Sequence, residues 1–272
     1  MLDVRHNGIP MLGLGTFGRT GTAGLDAILT AIEIGYRHLD TAQSYDTEAV
    51  VGHALKRCGL PRGELFVTTK VRNENLPRER FLPSVRESLE LLGVEQVDLL
   101  LIHWPAEKDV VPLEHYMEEL VTAKQQGLAG QIGVSNFTIG LLERARAIIG
   151  DGQIIDNQVE VHPFMQNRKL ASYCAQRGIA VTAYSPLAKG RAAADPTIRQ
   201  IAEQADVPPS AVALAWLRQR EIIAIPASAT RANLEANAKS LKVDLTQTEM
   251  AAIDALERGE RIIDPAKAPV WD

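Results

Sequence analysis

The chain has 272 residues, 46% of them hydrophobic and 23% charged, with a formal net charge of −5. That is material for one large core and close to the length of about 250 residues typical of a single eight-stranded α/β barrel. Positive and negative residues are interspersed without a basic stripe, so composition gives no support to a nucleic-acid partner.

No stretch approaches the length of a membrane span, which argues against a membrane partner. The opening residues, 1–6, lack the charged-then-apolar pattern of a leader. Cys58 and Cys174 lie far apart and fit no metal spacing, so they read as reduced thiols, and the expected location is cytoplasmic.

The first strand is expected near 12–16. It carries Gly13-Leu14-Gly15-Thr16-Phe17-Gly18, a literal G-x-G-x-x-G, with Asp40 at about the distance that a dinucleotide fingerprint asks for. The strand is very short, however, and residues 19–24 separate the last glycine from the next helical pattern. The glycines therefore read as tight backbone at a strand rim. Ile28, Ala31 and Ile32 then share one helical face, closed by Gly35. Strands are expected at 37–40, 65–70, 97–103 and 131–135. A second apolar stripe, Leu141, Leu142, Ala145, Ile148 and Ile149, ends at Gly150, and a strand follows at 154–160. Leu170, Tyr173 and Cys174 sit at helical spacing before Gly178, and the last strands fall at 179–185 and 222–228.

These strands are nearly continuous apolar runs, Leu99 to Ile102 most clearly, as in parallel sheets covered on both faces. Strands alternating with helices give an α/β chain, either a closed barrel or a doubly wound sheet, and eight repeats favour a (β/α)8 TIM barrel forming one domain over 1–272.

Polar residues gather where the strands end: Asp40, Lys70, His103, Ser135 with Asn136, Gln158, Tyr184 with Ser185, and Ser228. That rim carries the active site in barrels of this type. Asp40, Tyr45, Lys70 and His103 make a coherent set for reducing a carbonyl. Tyr45 is a weak acid, Lys70 favours its phenolate and lowers its pKa, Asp40 holds Lys70, and His103 orients the substrate oxygen. Each has a plain structural alternative: a buried ion pair, a core histidine, a rim aromatic. All four together at the rim are harder to explain that way. Two other readings compete. One is a metal-dependent hydrolase using His38, Asp40, Lys70, His103 and His162, although the eighth strand offers no ligand. The other is a non-enzymatic redox sensor, which has no need of all four residues. No metal site is expected.

The runs 12–18, 35–45 (Gly-Tyr-Arg-His-Leu-Asp-Thr-Ala-Gln-Ser-Tyr), 67–70, 97–105, 132–137, 157–163 and 183–187 resemble aldo-keto reductase motifs, in that family's order and over nearly the whole chain. Within the family the resemblance is closest to the bacterial 2,5-diketo-D-gluconic acid reductases of the B type. The resemblance implies an NADP-dependent carbonyl reductase with Tyr45 as proton donor, Lys70 and Asp40 tuning it, and His103 orienting substrate. It implies cofactor contacts from Gly15, Thr16, Phe17, Asp40, Ser135, Asn136, Gln158, Tyr184, Ser185, Leu187, Ser228, Arg231 and Asn237. Phe17, Tyr45, Arg72, His103 and Trp104 would meet the substrate, a small carbonyl compound such as a keto acid, 2,5-diketogluconate or methylglyoxal. The family also implies a monomer.

Two departures stand out. Ala227 and Asn233 occupy places where relatives carry a lysine and an arginine that grip the 2′-phosphate, leaving Arg231 as the nearby cation. NADP(H) is favoured through Arg231, by a smaller margin than in relatives with the full basic pair, with NAD(H) the alternative. Arg72 stands where relatives carry tryptophan, which suggests recognition of an anionic substrate.

Overall fold

Residues 4–272 are described by a computed structural model; of the opening segment read for a leader, residues 1–3 lie outside the described residues. A short hairpin comes first, β1 (Arg5–His6) and β2 (Ile9–Pro10), turning through Asn7 and Gly8 at φ +50° and +81°. Eight parallel strands follow: β3 (Leu14–Gly15), β4 (His38–Asp40), β5 (Phe66–Val71), β6 (Val97–Ile102), β7 (Ala129–Ser135), β8 (Ile154–Glu160), β9 (Ala180–Tyr184) and β10 (Ile222–Ala224). Each pairs with its neighbour in sequence. The ends meet through a parallel bridge between Leu12 and Ala224. Gly13 N–H donates to the Ala224 carbonyl at 2.9 Å, and Gly15 N–H donates to that of Pro226 at 3.2 Å. The eight-stranded parallel barrel expected from the strand pattern is thus present.

The helices run outside it: α1 (Gly21–Ile34), α2 (Glu48–Arg57), α3 (Arg78–Leu92), α4 (Leu113–Gln125), α5 (Ile139–Ile149), α6 (Arg168–Gln176), α7 (Arg191–Ala194), α8 (Pro196–Gln204), α9 (Pro209–Gln219), α10 (Arg231–Ala238) and α11 (Gln247–Asp254). The stripe of α1 is buried at Ala27, Ile28, Ala31 and Ile32, and Gly35 caps it at φ +120°, where a side chain would be strained. Most of the apolar core lies between strands and helices. A smaller cluster fills the barrel itself: Ile9 and Met11 from the hairpin segment with Leu99, Leu101, Ala180 and Ile223.

Two elements differ from the sequence expectation. The last strand stops at Ala224 rather than 228, because Pro226 has no N–H for the ladder. The hairpin was not anticipated, although Asn7-Gly8 is the commonest two-residue turn signal.

The glycine motif behaves as tight backbone. A Cβ on Gly13 would stand 2.6 Å from His38 Nδ1, and one on Gly15 would stand 2.8 Å from the Ile225 carbonyl oxygen. Gly13 thus leaves room for His38 of β4, and Gly15 lets β3 close against the chain that follows β10. Among the described residues no helix is long and apolar enough to cross a membrane.

Candidate active site

The parallel register stacks polar side chains toward the carboxyl ends of the strands. Asp40 is the last residue of β4 and pairs with Thr68, so Lys70 lies two residues further along β5. Both are buried, Lys70 completely. The Lys70 ammonium contacts Asp40 Oδ1 and donates to the Thr41 carbonyl at 2.8 Å. Asp40 Oδ2 accepts from Gln158 Nε2 at 2.8 Å. A buried charge pair is tolerable only when its remaining valences are met, and these are.

Tyr45 ends a single 3-10 turn, Gln43–Tyr45, that follows β4, and Asp46 behind it sits at φ +55°. The Lys70 ammonium lies 4.9 Å from the centre of the Tyr45 ring. His103 follows β6 directly and meets the Tyr45 ring edge-on, centroids 5.4 Å apart. Its Nδ1 is 3.1 Å from Ser44 Oγ. Phe17, largely exposed, closes the other side at 5.2 Å from Tyr45. The four residues singled out for chemistry therefore share one cluster.

Burial raises the Tyr45 pKa, and the Lys70 charge opposes this without overcoming it. The expected lowering by Lys70 is present as one influence but is outweighed, so the phenol keeps its proton. Burial also works against the Lys70 charge, yet Asp40 and Tyr45 prevail and hold its pKa above the usual lysine value. His103 is pushed well below the ordinary histidine range, by burial first and then by the charges of Lys70 and Lys267. It is a neutral imidazole at physiological pH.

A second polar group lies beside this cluster. Ser135 ends β7 and its hydroxyl donates to the Gln158 carbonyl at 2.8 Å. Asn136 holds a left-handed backbone, φ +63°. Its amide donates to the His103 carbonyl at 2.9 Å, and its Oδ1 accepts from the Tyr184 hydroxyl at 2.8 Å. Ser185 is also left-handed, φ +49°, and Leu187 packs against the core behind it. Ser228 Oγ is buried with no hydrogen-bond partner among the described residues, a donor left open. Unsatisfied buried hydroxyls and left-handed non-glycine residues are costly and gather at binding sites. The arrangement suits a group rich in acceptors, such as a nicotinamide dinucleotide.

The remaining cofactor candidates are placed less directly. Thr16 is buried, with its hydroxyl donating to the Asp40 carbonyl at 3.0 Å and lying 3.1 Å from Thr47 Oγ1. Asn237 is buried on α10. Arg231, the first residue of α10, is half-exposed and paired with Glu33 at 2.6 Å and Glu235 at 3.5 Å.

The mouth is walled in part by residues to which the sequence reading gave no role. Glu160, at the end of β8, accepts from the backbone N–H groups of Ile262 and Ile263 at 2.7 and 2.8 Å and so holds the C-terminal segment over the barrel. That segment brings Trp271 edge-on to Trp104, centroids 6.1 Å apart. Its Lys267 lies 6.0 Å from the Trp104 ring centre. Arg72 is 47% exposed, with Glu74 3.9 Å from its Nε. His162 bonds Glu160 at 2.9 Å, and among the described residues no three His, Cys, Asp or Glu side chains converge as a metal cage.

The family model described as the aldo/keto reductase family matches residues 11–258. The chain is 44% identical over 265 residues to methylglyoxal reductase DkgB of Escherichia coli O157:H7, covering 97% of this chain and 99% of that one. It is 37% identical over 262 residues to the glyoxal reductase of Bacillus subtilis strain 168, covering 94% and 93%. Among solved structures, a protein provisionally named 2,5-diketo-D-gluconic acid reductase B superposes with a TM-score of 0.95 at 39% identity, over 100% of this chain and 98% of the other. The Bombyx mori aldo-keto reductase in complex with NADP gives 0.89 at 33%, over 97% and 94%.

Proposed function

The chain belongs to the aldo/keto reductase family, and from that premise we propose that it reduces small aldehydes and ketones to alcohols with Tyr45 as proton donor and NADP(H) as the favoured cofactor. The observation that carries this reading is the buried, fully bonded Asp40–Lys70 pair beside a protonated Tyr45 and a neutral His103. The cofactor, when bound, supplies the hydride that reaches the carbonyl carbon. The Tyr45 O–H bond breaks as the new O–H bond forms on the substrate oxygen, and the Lys70 ammonium takes up the phenolate charge that develops. Asp40 keeps Lys70 charged and fixed. His103, being neutral, donates one hydrogen bond to the carbonyl oxygen and does not compete for the proton. Ser135, Asn136 and Gln158 would hold the carboxamide, Tyr184 would face the ring, and Ser228 would donate to a phosphate. The names of the relatives favour methylglyoxal or a small keto acid as substrate, and the reading takes the protein as a cytoplasmic monomer.

Tyr45→Phe tests the assignment. Methylglyoxal reduction with NADPH should fall by roughly 10² to 10⁴, the usual worth of a positioned general acid. The dissociation constant for NADPH, read by protein fluorescence, should hold, because the ring still packs. A phenylalanine variant with near-normal turnover would remove Tyr45 from the chemistry.

A further inference from the structure

The C-terminal segment crosses the mouth with two cations that form no direct ion pair among the described residues. Lys267 Nζ donates to Asn73 Oδ1 at 3.0 Å, a neutral acceptor. Arg261 stacks its guanidinium 3.7 Å from the Trp271 ring centre, and its Nη1 is buried without a partner. Neither residue takes part in an ion pair among the described residues, whereas Arg72, Arg191 and Arg231 each do. The segment is fixed rather than loose. Glu160 grips Ile262 and Ile263, Trp271 Nε1 donates to Asp264 at 2.9 Å, and Asp272 accepts from the Ile139 N–H at 2.9 Å.

Lys267 is also close enough to the reacting end to be felt there, since its charge helps to keep His103 neutral. A fixed ammonium held by a neutral amide, near the group that orients the carbonyl, has a free valence for an anion. A half-buried ammonium holds that anion more tightly than a solvated one does.

We propose that Lys267 determines specificity by binding the carboxylate of a carbonyl substrate whose reacting end lies between Tyr45 and His103. Arg261 adds charge from the same wall, partly offset by Asp264 and Glu160. The proposal rests on the reductase reading and adds the residue that selects acidic substrates. It places anion recognition on the C-terminal segment rather than on Arg72, whose guanidinium faces Glu74 and solvent.

The test compares carbonyl pairs matched in size: glyoxylate against methylglyoxal, and succinic semialdehyde against butanal. In Lys267→Gln, the ratio of kcat/KM for the acid to that for its neutral partner should fall about tenfold, mainly through KM, because the contact forms equally in ground and transition states. Lys267→Arg should restore most of the ratio, added salt should lower it in the parent protein only, and Arg72→Gln should leave it within about twofold. Malonate, an unreactive dianion, should quench the fluorescence of the Trp104–Trp271 pair saturably in the parent protein and not in Lys267→Gln. An unchanged ratio together with equal malonate binding overturns the proposal. If none of the four carbonyls is reduced, the reductase reading falls first, and the malonate titration alone then decides whether Lys267 binds anions.

Discussion

Asp156 lies inside the barrel on β8, fully buried. Its Oδ1 accepts from Thr182 Oγ1 at 2.8 Å, and its Oδ2 has no hydrogen-bond partner among the described residues. Burial, reinforced by Asp40, raises its pKa from 3.8 to about 8 against the pull of Thr182 and Lys70. It therefore keeps its proton at neutral pH and leaves Lys70 to Asp40. The folded protein holds this proton between about pH 4 and 8, where the unfolded chain has released it, so stability falls as pH rises through that window. The slope is at most about 1.4 kcal/mol per pH unit. His38, also buried, acts in the opposite sense. Burial lowers its pKa from 6.5 to about 4, so between those values the unfolded chain holds the extra proton and stability rises with pH. Below pH 6.5 the Asp156 slope is opposed by His38 and by His103, whose pKa is likewise depressed, and above 6.5 neither histidine opposes it. Asp156→Asn should therefore gain in melting temperature relative to the parent as pH goes from 6.5 to 8. A constant difference over that range would mean that Asp156 is ionised throughout. Sequence reading found Asp40, Lys70 and His103 because each falls at the carboxyl end of an expected strand, and Tyr45 because it lies in the rim loop that follows Asp40. It passed over Asp156 inside such a run and Lys267 in a segment without periodicity, since neither signal is visible before the barrel closes.

Between elements, the contact of α1 with α10 bears on cofactor choice. Glu33, near the end of α1, holds Arg231 at the start of α10. The sequence offered Arg231 as the one cation left for a 2′-phosphate. What it could not show is that the guanidinium already has a carboxylate partner from an element 198 residues away. Freeing it should favour the extra phosphate. Glu33→Gln is expected to tighten NADPH binding several-fold and to leave NADH little changed, within the range of one exposed charge contact. Fluorescence titration of both cofactors measures this, and an equal shift for both would leave Arg231 as an ordinary surface residue. Element boundaries were legible where hydrophobic period and glycine caps agree, as in α1 and at Gly35. They failed at β10, where the apolar run continues but Pro226 ends the ladder, and at the hairpin, whose two-residue strands are too short to show a period.

Across the whole molecule, one seam converts a row of neighbouring strands into a barrel. It is narrow, relying on Met11, Leu12, Gly13 and Gly15 against Ala224 to Pro226. Gly15→Ala would press its Cβ onto the Ile225 carbonyl oxygen. Backbone must shift to accept it, at a cost of about 1–3 kcal/mol. That corresponds to roughly 2–4 °C of melting temperature per kcal/mol for a chain somewhat smaller than this one. A variant that melts with the parent would show that the seam gives way without strain. The seam also sets an order on biosynthesis. Pairings from β3 to β9 link strands adjacent in the chain and can form as each emerges from the ribosome, but Ile9 and Met11 have no closed barrel to enter until Ala224 has been made. The anion-binding wall comes later still, because Glu160 waits for Ile262 and Ile263 to arrive. During translation Asp40, Tyr45, Lys70 and His103 are thus made well before the segment that would choose among their proposed substrates.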